Sequence, residues 1–187
     1  MKVSIGVSAR HVHLTQEHLE ILFGKDYKLE KKSDLKQPGQ FASNALVTIK
    51  TDKSIIEHVR VLGPIRDYTQ VEISKTDAHN LGINPPVRNS GDLIGSSPIT
   101  IIGPMGGIDI QYGCIIPTRH IHIRPDQMSA YGFEGKKTVN VKLPGEKGGI
   151  ICNVYLKVSE ESFFEMHLDL DDANAHLINN DDIGEII

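Results

Sequence analysis

The sequence predicts a mainly β fold with short α-helices, arranged as two related β-barrel domains with helical caps that arose by internal duplication. Three observations predict it. Arg10-His11-Val12-His13-Leu14 recurs as Arg119-His120-Ile121-His122-Ile123, at a constant offset of 109 residues (His11 to His120, His13 to His122). A second echo sets Val71-Glu72-Ile73-Ser74-Lys75-Thr76-Asp77-Ala78 against Met166-His167-Leu168-Asp169-Leu170-Asp171-Asp172-Ala173, at an offset of 95 (Glu72 to His167). Between Pro85 and Arg119, Gly and Pro interrupt short β-rich runs every few residues, which suits tight-turned barrels rather than long helices.

The elements follow in order. Val3–Val7 reads as a strand ahead of the first H-x-H. Thr15 is placed to cap a helix over Gln16–Leu22. Strands are expected at Ala45–Ile49 and His58–Leu62. The alternation around Glu72 is expected to run into a helix starting at Asp77-Ala78. Ile99–Ile102, Ile108–Ile110 and Ile110–Ile116 read as β, and Gly103-Pro104-Met105-Gly106-Gly107 as a turn. After the second H-x-H, Pro125 opens a helix over Pro125–Ala130, since proline suits a first turn. Thr138–Val141 and Ile150–Val158 supply further strands, and the stretch around His167 repeats the strand-then-helix pattern. With no Trp and 5% aromatics, the core must be Ile, Val and Leu.

Composition narrows the function. At 187 residues, 39% hydrophobic and 24% charged, the chain is globular rather than disordered. A net charge of −4 argues against a generally basic nucleic-acid binder. No apolar run is long enough to span a membrane, and the start lacks a signal-peptide stretch, so a cytoplasmic protein is expected. Cys114 and Cys152 form no disulfide framework, and both are read as buried structural residues.

The nine histidines are the compositional anomaly. In a strand, residues i and i+2 face the same way, so H-x-H aims two imidazoles at one point. The second echo adds a third ligand type at one equivalent place in each half. His11, His13 and Glu72 form one set; His120, His122 and His167 form the other. Three protein ligands and an open fourth position suit Zn²⁺, with Co²⁺, Mn²⁺ or Fe²⁺ also compatible. The plainer alternative is a set of hydrogen-bonded structural histidines. His18, His58, His79 and His176 lack such a context and are read as surface or cap residues.

Arg66, in Gly63-Pro64-Ile65-Arg66, stands six residues before Glu72, and its counterpart in the second half is Glu161. A cation in one half only suggests one bound oxyanion, phosphate or carboxylate. Lys31, Lys32, Lys36, Arg60 and Arg66 fall mainly in the first half, where they could line an anionic pocket. No Rossmann or P-loop motif is present.

Gly6-Val7-Ser8-Ala9-Arg10-His11-Val12-His13-Leu14, Asp34-Leu35-Lys36-Gln37-Pro38-Gly39-Gln40-Phe41, Val59-Arg60-Val61-Leu62-Gly63-Pro64 and Pro117-Thr118-Arg119-His120-Ile121-His122 resemble the PduL family of phosphate propanoyltransferases. The resemblance covers nearly the whole chain. It implies a phosphotransacylase that reversibly converts propanoyl-CoA or acetyl-CoA plus phosphate into acyl phosphate plus CoA at a dinuclear zinc site. It implies two zinc ions per chain, held by His11, His13, Glu72, His120, His122 and His167. It makes Arg66 the catalytic, phosphate-binding arginine, and places CoA contacts on Ser8, Ala9, Arg10, Lys31, Arg60 and Asn174. It sets a first barrel at 9–118 and a second at 119–187, with strand 1–8 joining the second. Acyl-CoA and phosphate are the expected partners, with a homodimer and without nucleic acid or membrane. Members packaged in microcompartments carry an N-terminal extension, whereas five residues precede Gly6 here; a free cytoplasmic enzyme is expected. The rivals are a dinuclear metallohydrolase of another small fold, the chain being too short for a TIM barrel, and a non-catalytic metal-binding module.

Overall fold

The computed structural model describes residues 1–187. In chain order the elements are β1 (Lys2–Ser8), β2 (His11–His13), α1 (Gln16–Phe23), β3 (Lys31–Asp34), β4 (Phe41–Lys50), β5 (Ile55–Gly63), β6 (Gln70–Glu72), α2 (Lys75–Leu81) and β7 (Val87–Arg88). Then follow β8 (Ser97–Ile102), β9 (Gly107–Pro117), β10 (His120–Ile123), α3 (Pro125–Ala130), β11 (Thr138–Lys142), β12 (Ile150–Val158), β13 (Glu165–Asp169), α4 (Leu170–His176) and β14 (Ile183–Ile186).

The chain divides into two compact units, one of residues 10–117 and one of residues 1–9 with 118–187. In the first, six strands pair in a closed ring, β2-β5-β4-β8-β9-β6, with β3 and β7 added at its margins. In the second, the closed ring is β10-β12-β11-β14-β1-β13. Strand polarity matches pair by pair. The H-x-H strand runs parallel to β5 or β12 and antiparallel to β6 or β13. The last strand, β9 or β1, runs parallel to the strand that bears the third candidate ligand. The duplication is therefore permuted: the strand just before each H-x-H pairs in the other unit, so β1 is the counterpart of β9.

Local chemistry explains the boundaries. Alternating burial along β4, β11 and β14 matches side chains that face core and solvent in turn. Thr15 caps α1 by accepting the His18 amide hydrogen, and Gly24 ends it at φ +104°. Ser74 and Asp77 form a capping box on α2, and Asp169, the residue 95 further on from Ser74, caps α4 through the Asp172 amide. Pro125 occupies the first turn of α3. The Gly103–Gly107 turn closes the β8–β9 hairpin and also finishes α1, since the Met105 amide donates to the Leu22 carbonyl at 3.0 Å.

Each unit has its own aliphatic core. One centres on Leu14, Leu22, Ile49, Val61, Ile73 and Ile101, the other on Ile5, Ile121, Ile123, Leu156 and Met166. Each fully buried Ile or Leu contributes about 1.5–3 kcal/mol. Cys114 belongs to the first core, as expected. Cys152 does not: it is exposed. Its neighbour Ile151 takes the inward position on β12, so the strand alternation turns Cys152 outward.

Candidate functional site

The first candidate triad is assembled by two short strands. β2 and β6 pair antiparallel with His11 opposite Glu72 and His13 opposite Gln70. His11 and His13 lie on one face with ring centroids 5.0 Å apart. His11 Nε2 stands 3.4 Å from Glu72 Oε2. All three side chains are largely shielded, His13 to 2% exposure. In the second unit the same pairing sets His120 opposite His167 and His122 opposite Glu165. The His120 and His122 Nε2 atoms approach to 3.1 Å, and the three imidazoles lie within 5.2 Å of one another by centroid.

The donor chemistry fits a divalent metal. In each triad the candidate ligand atoms all lie within 4.8 Å of one another. His120 Nδ1 donates to the Thr118 carbonyl at 2.8 Å, which leaves Nε2 as the lone-pair nitrogen. Burial first, then the neighbouring His120 and His167, push the His122 imidazole down to about 2. His122 therefore rejects a proton and presents a neutral nitrogen, the form a metal needs. Nitrogen and carboxylate oxygen without thiolate match zinc-type sites that keep a coordination position open.

Both triads have a buried partner that sequence reasoning missed. Gln70 Nε2 donates to Glu72 Oε1 at 2.5 Å, and Glu165 Oε2 lies 2.9 Å from His167 Nε2. Gln70 and Glu165 are equivalent at the offset of 95, each two residues before the third triad member. The i, i+2 rule that found the histidines would have found them too. A second repeated feature is an ion pair. Arg10 binds Asp77 through Nε at 3.0 Å and Nη2 at 2.8 Å, and Arg119 Nε lies 3.1 Å from Asp172. Each arginine precedes an H-x-H, and each aspartate follows the third triad member by five residues.

Arg66 is positioned by the turn after β5. The strand ends at Gly63, whose peptide bond to Pro64 is cis, and the Arg66 amide then donates to the Leu14 carbonyl at 3.0 Å. Phe41 covers Gly63 so closely that an added Cβ would lie 2.2 Å from the ring. The Arg66 side chain donates through Nη1 to the Tyr68 hydroxyl at 3.2 Å and to Ser90 Oγ at 3.1 Å. Its Nε and Nη2 edge makes no protein hydrogen bond, which leaves a two-pronged donor face.

The other expected contacts are divided between the two units. Ser8 ends β1, Ala9 is exposed and Asn174 is exposed on α4, all in the second unit. Arg10, Lys31, Arg60 and Arg66 lie in the first unit. Arg60 sits beside His11 on β5 and donates to the Ser43 carbonyl at 2.6 Å. Lys31 is exposed and paired to Asp34 at 2.6 Å. Of the remaining histidines, His18 bonds Thr69 Oγ1 at 2.7 Å and His176 faces the Lys147 carbonyl at 2.9 Å.

Comparison with known proteins accords with this arrangement. Residues 4–179 match the family model described as phosphate propanoyltransferase. A phosphate propanoyltransferase of Priestia megaterium is 50% identical over 182 residues, covering 97% of this chain and 84% of the relative. That of Thermotoga maritima is 48% identical over 186 residues, covering 99% and 89%. That of Rhodopseudomonas palustris is 44% identical over 185 residues, covering 99% and 82%. Similarity of this extent, over both units and both triads, means that the chain belongs to the phosphate propanoyltransferase family.

Proposed function

We propose that the chain is a reversible phosphotransacylase acting on short-chain acyl-CoA, propanoyl-CoA or acetyl-CoA, with two zinc ions per chain, one at each triad. The observation that carries this reading is the pair of equivalent triads together with Arg66, whose counterpart in the second unit is Glu161 and whose Nε and Nη2 edge is open. In the forward direction a phosphate oxygen attacks the thioester carbonyl carbon. A C–O bond forms, the C–S bond breaks, and CoA leaves as thiolate. Arg66 binds two phosphate oxygens through Nε and Nη2 and orients the attacking oxygen, so that much of the acceleration comes from positioning. A bound divalent ion supplies Lewis acidity toward the negative charge that develops on oxygen or sulfur.

Direct attack is favoured over an acyl-enzyme, because neither cysteine suits a nucleophile. Cys114 is buried in the core, and burial pushes its thiol up to about 12. Cys152 faces outward from β12. Arg10, Lys31 and Arg60 supply positive charge for CoA phosphates, while the side chains of Ser8 and Asn174 and the backbone of Ala9 contribute polar contacts. No helix is long and apolar enough to cross a membrane. A cytoplasmic homodimer completes the reading.

The test is thiol release from propanoyl-CoA and acetyl-CoA with and without phosphate. CoA release that requires phosphate and yields acyl phosphate supports the proposal, and the two rates rank the acyl groups. Release that ignores phosphate would make the chain a thioester hydrolase instead.

A further inference from the structure

Glu165 is a buried carboxylate that the proposed chemistry leaves unused. Its side chain is 4% exposed, and its Oε2 lies 2.9 Å from His167 Nε2. Burying a carboxylate is costly unless a donor meets it, so the Nε2 hydrogen belongs on that contact. A neutral imidazole carries one hydrogen, and the lone pair of His167 is then on Nδ1.

The strand order points the same way. β13 lies between β1 and β10 in the closed ring. On the β1 side, a Cβ added to Gly6 would lie 3.2 Å from Glu165 Oε2 and 3.2 Å from His167 Cδ2. The Cδ2–Nε2 edge of the ring is therefore the edge turned toward β1 and Glu165. Nδ1 is the ring atom opposite that edge, and it faces β10, the strand of His120 and His122. His120 is held in the other tautomer, because its Nδ1 bonds the Thr118 carbonyl at 2.8 Å.

We propose that Glu165 is a positioning residue that accepts the Nε2 hydrogen of His167 and so makes Nδ1 its metal-ligating nitrogen, in a triad where His120 ligates through Nε2. This rests on the metal reading of the triads. The duplication follows the same logic. Residues 70 and 72 are Gln and Glu, whereas residues 165 and 167 are Glu and His. In the first unit an amide NH₂ donates to a carboxylate ligand. In the second a carboxylate accepts from an imidazole ligand. Partner and ligand exchange roles together, so each site keeps one buried carboxylate and each contact keeps one donor and one acceptor.

The experiment loads the full chain with NMR-active cadmium in place of zinc and asks which ring nitrogen of His167 couples to the metal. Competition with a chromophoric chelator reads zinc affinity at both sites in the wild type, Glu165→Gln and Glu165→Ala. In the wild type, coupling through Nδ1 is expected, with the ring hydrogen on Nε2. Glu165→Gln offers a carbonyl oxygen to the same hydrogen, so it should keep that coupling and lose less than about tenfold in affinity. Glu165→Ala should weaken zinc at the second site by about 10–100-fold and spare the first. Coupling of His167 through Nε2 overturns the proposal without touching the metal reading, and that measurement needs no variant. Wild-type affinity in Glu165→Ala, or equal losses in the Gln and Ala variants, also overturns the positioning role. If none of His120, His122 and His167 couples to cadmium, the metal reading of the second triad fails and the inference goes with it.

Discussion

Gly6 lies on β1 opposite His167, and replacing it with alanine tests how the second triad is held. A Cβ there would lie 3.1 Å from Glu165 Cδ, 3.2 Å from Glu165 Oε2 and 3.2 Å from His167 Cδ2. Ordinary carbon contacts lie at about 3.5–4.0 Å, so the two side chains must yield by a few tenths of an ångström. The barrel itself does not demand glycine, since the equivalent position, opposite Glu72, holds Ile115. The strain therefore falls on the Glu165–His167 pair. Metal–ligand distances tolerate about 0.2 Å, and disturbing the partner of a ligating histidine typically costs about 10–100-fold in metal affinity. The fold should lose at most about 1–3 kcal/mol, the usual range for overpacking. Competition with a chromophoric chelator reads the affinity, and denaturant unfolding of the metal-free protein reads the stability. Gly6→Ala should weaken one of two metal equivalents and spare the other. Unchanged affinity at both would refute the idea that Glu165 and His167 act together.

Other outcomes follow from burial and pairing. A thiol reagent should modify Cys152 rapidly in the native protein and Cys114 only after denaturation; two fast equivalents would contradict the burial of Cys114. Arg10→Ala should cost about 1–3 kcal/mol in urea unfolding, because it strips a partner from the Asp77 side chain, only 4% exposed. Arg119→Ala, whose partner Asp172 is 27% exposed, should cost about 0–1 kcal/mol; the reverse ranking would refute the burial argument. Gly63→Ala must displace the Phe41 ring and should destabilise the first unit by about 1–3 kcal/mol, whereas wild-type stability would mean that the ring moves freely.

The site was legible where chemistry repeats at fixed spacing. H-x-H in a strand needs only the two-residue period, and the offset of 95 picked out Glu72 and His167 without any structure. Thr15 and Pro125 were readable as helix starts because caps use few residue types. The turn at Gly103–Gly107 was readable from composition, although its hold on α1 was not. What escaped depends on distant pairing. The repeat alone grouped each leading strand with the H-x-H that follows it, and only the family resemblance put strand 1–8 with the second barrel; β1 and β9 do pair in opposite units, and no local signal marks that exchange. β3, Lys31–Asp34, is wholly exposed and polar, so alternation could not reveal it. Cys152 shows that residue type alone does not set burial when a strand's outer face is available.

The most direct test of the account counts zinc per chain in the wild-type protein and in His13→Ala and His122→Ala, with phosphate-dependent CoA release measured on the same samples. Two equivalents in the wild type, about one in each variant, and loss of acyl transfer in both are the predicted results. Full phosphate-dependent activity in wild-type protein stripped of metal, or in either variant, would contradict it.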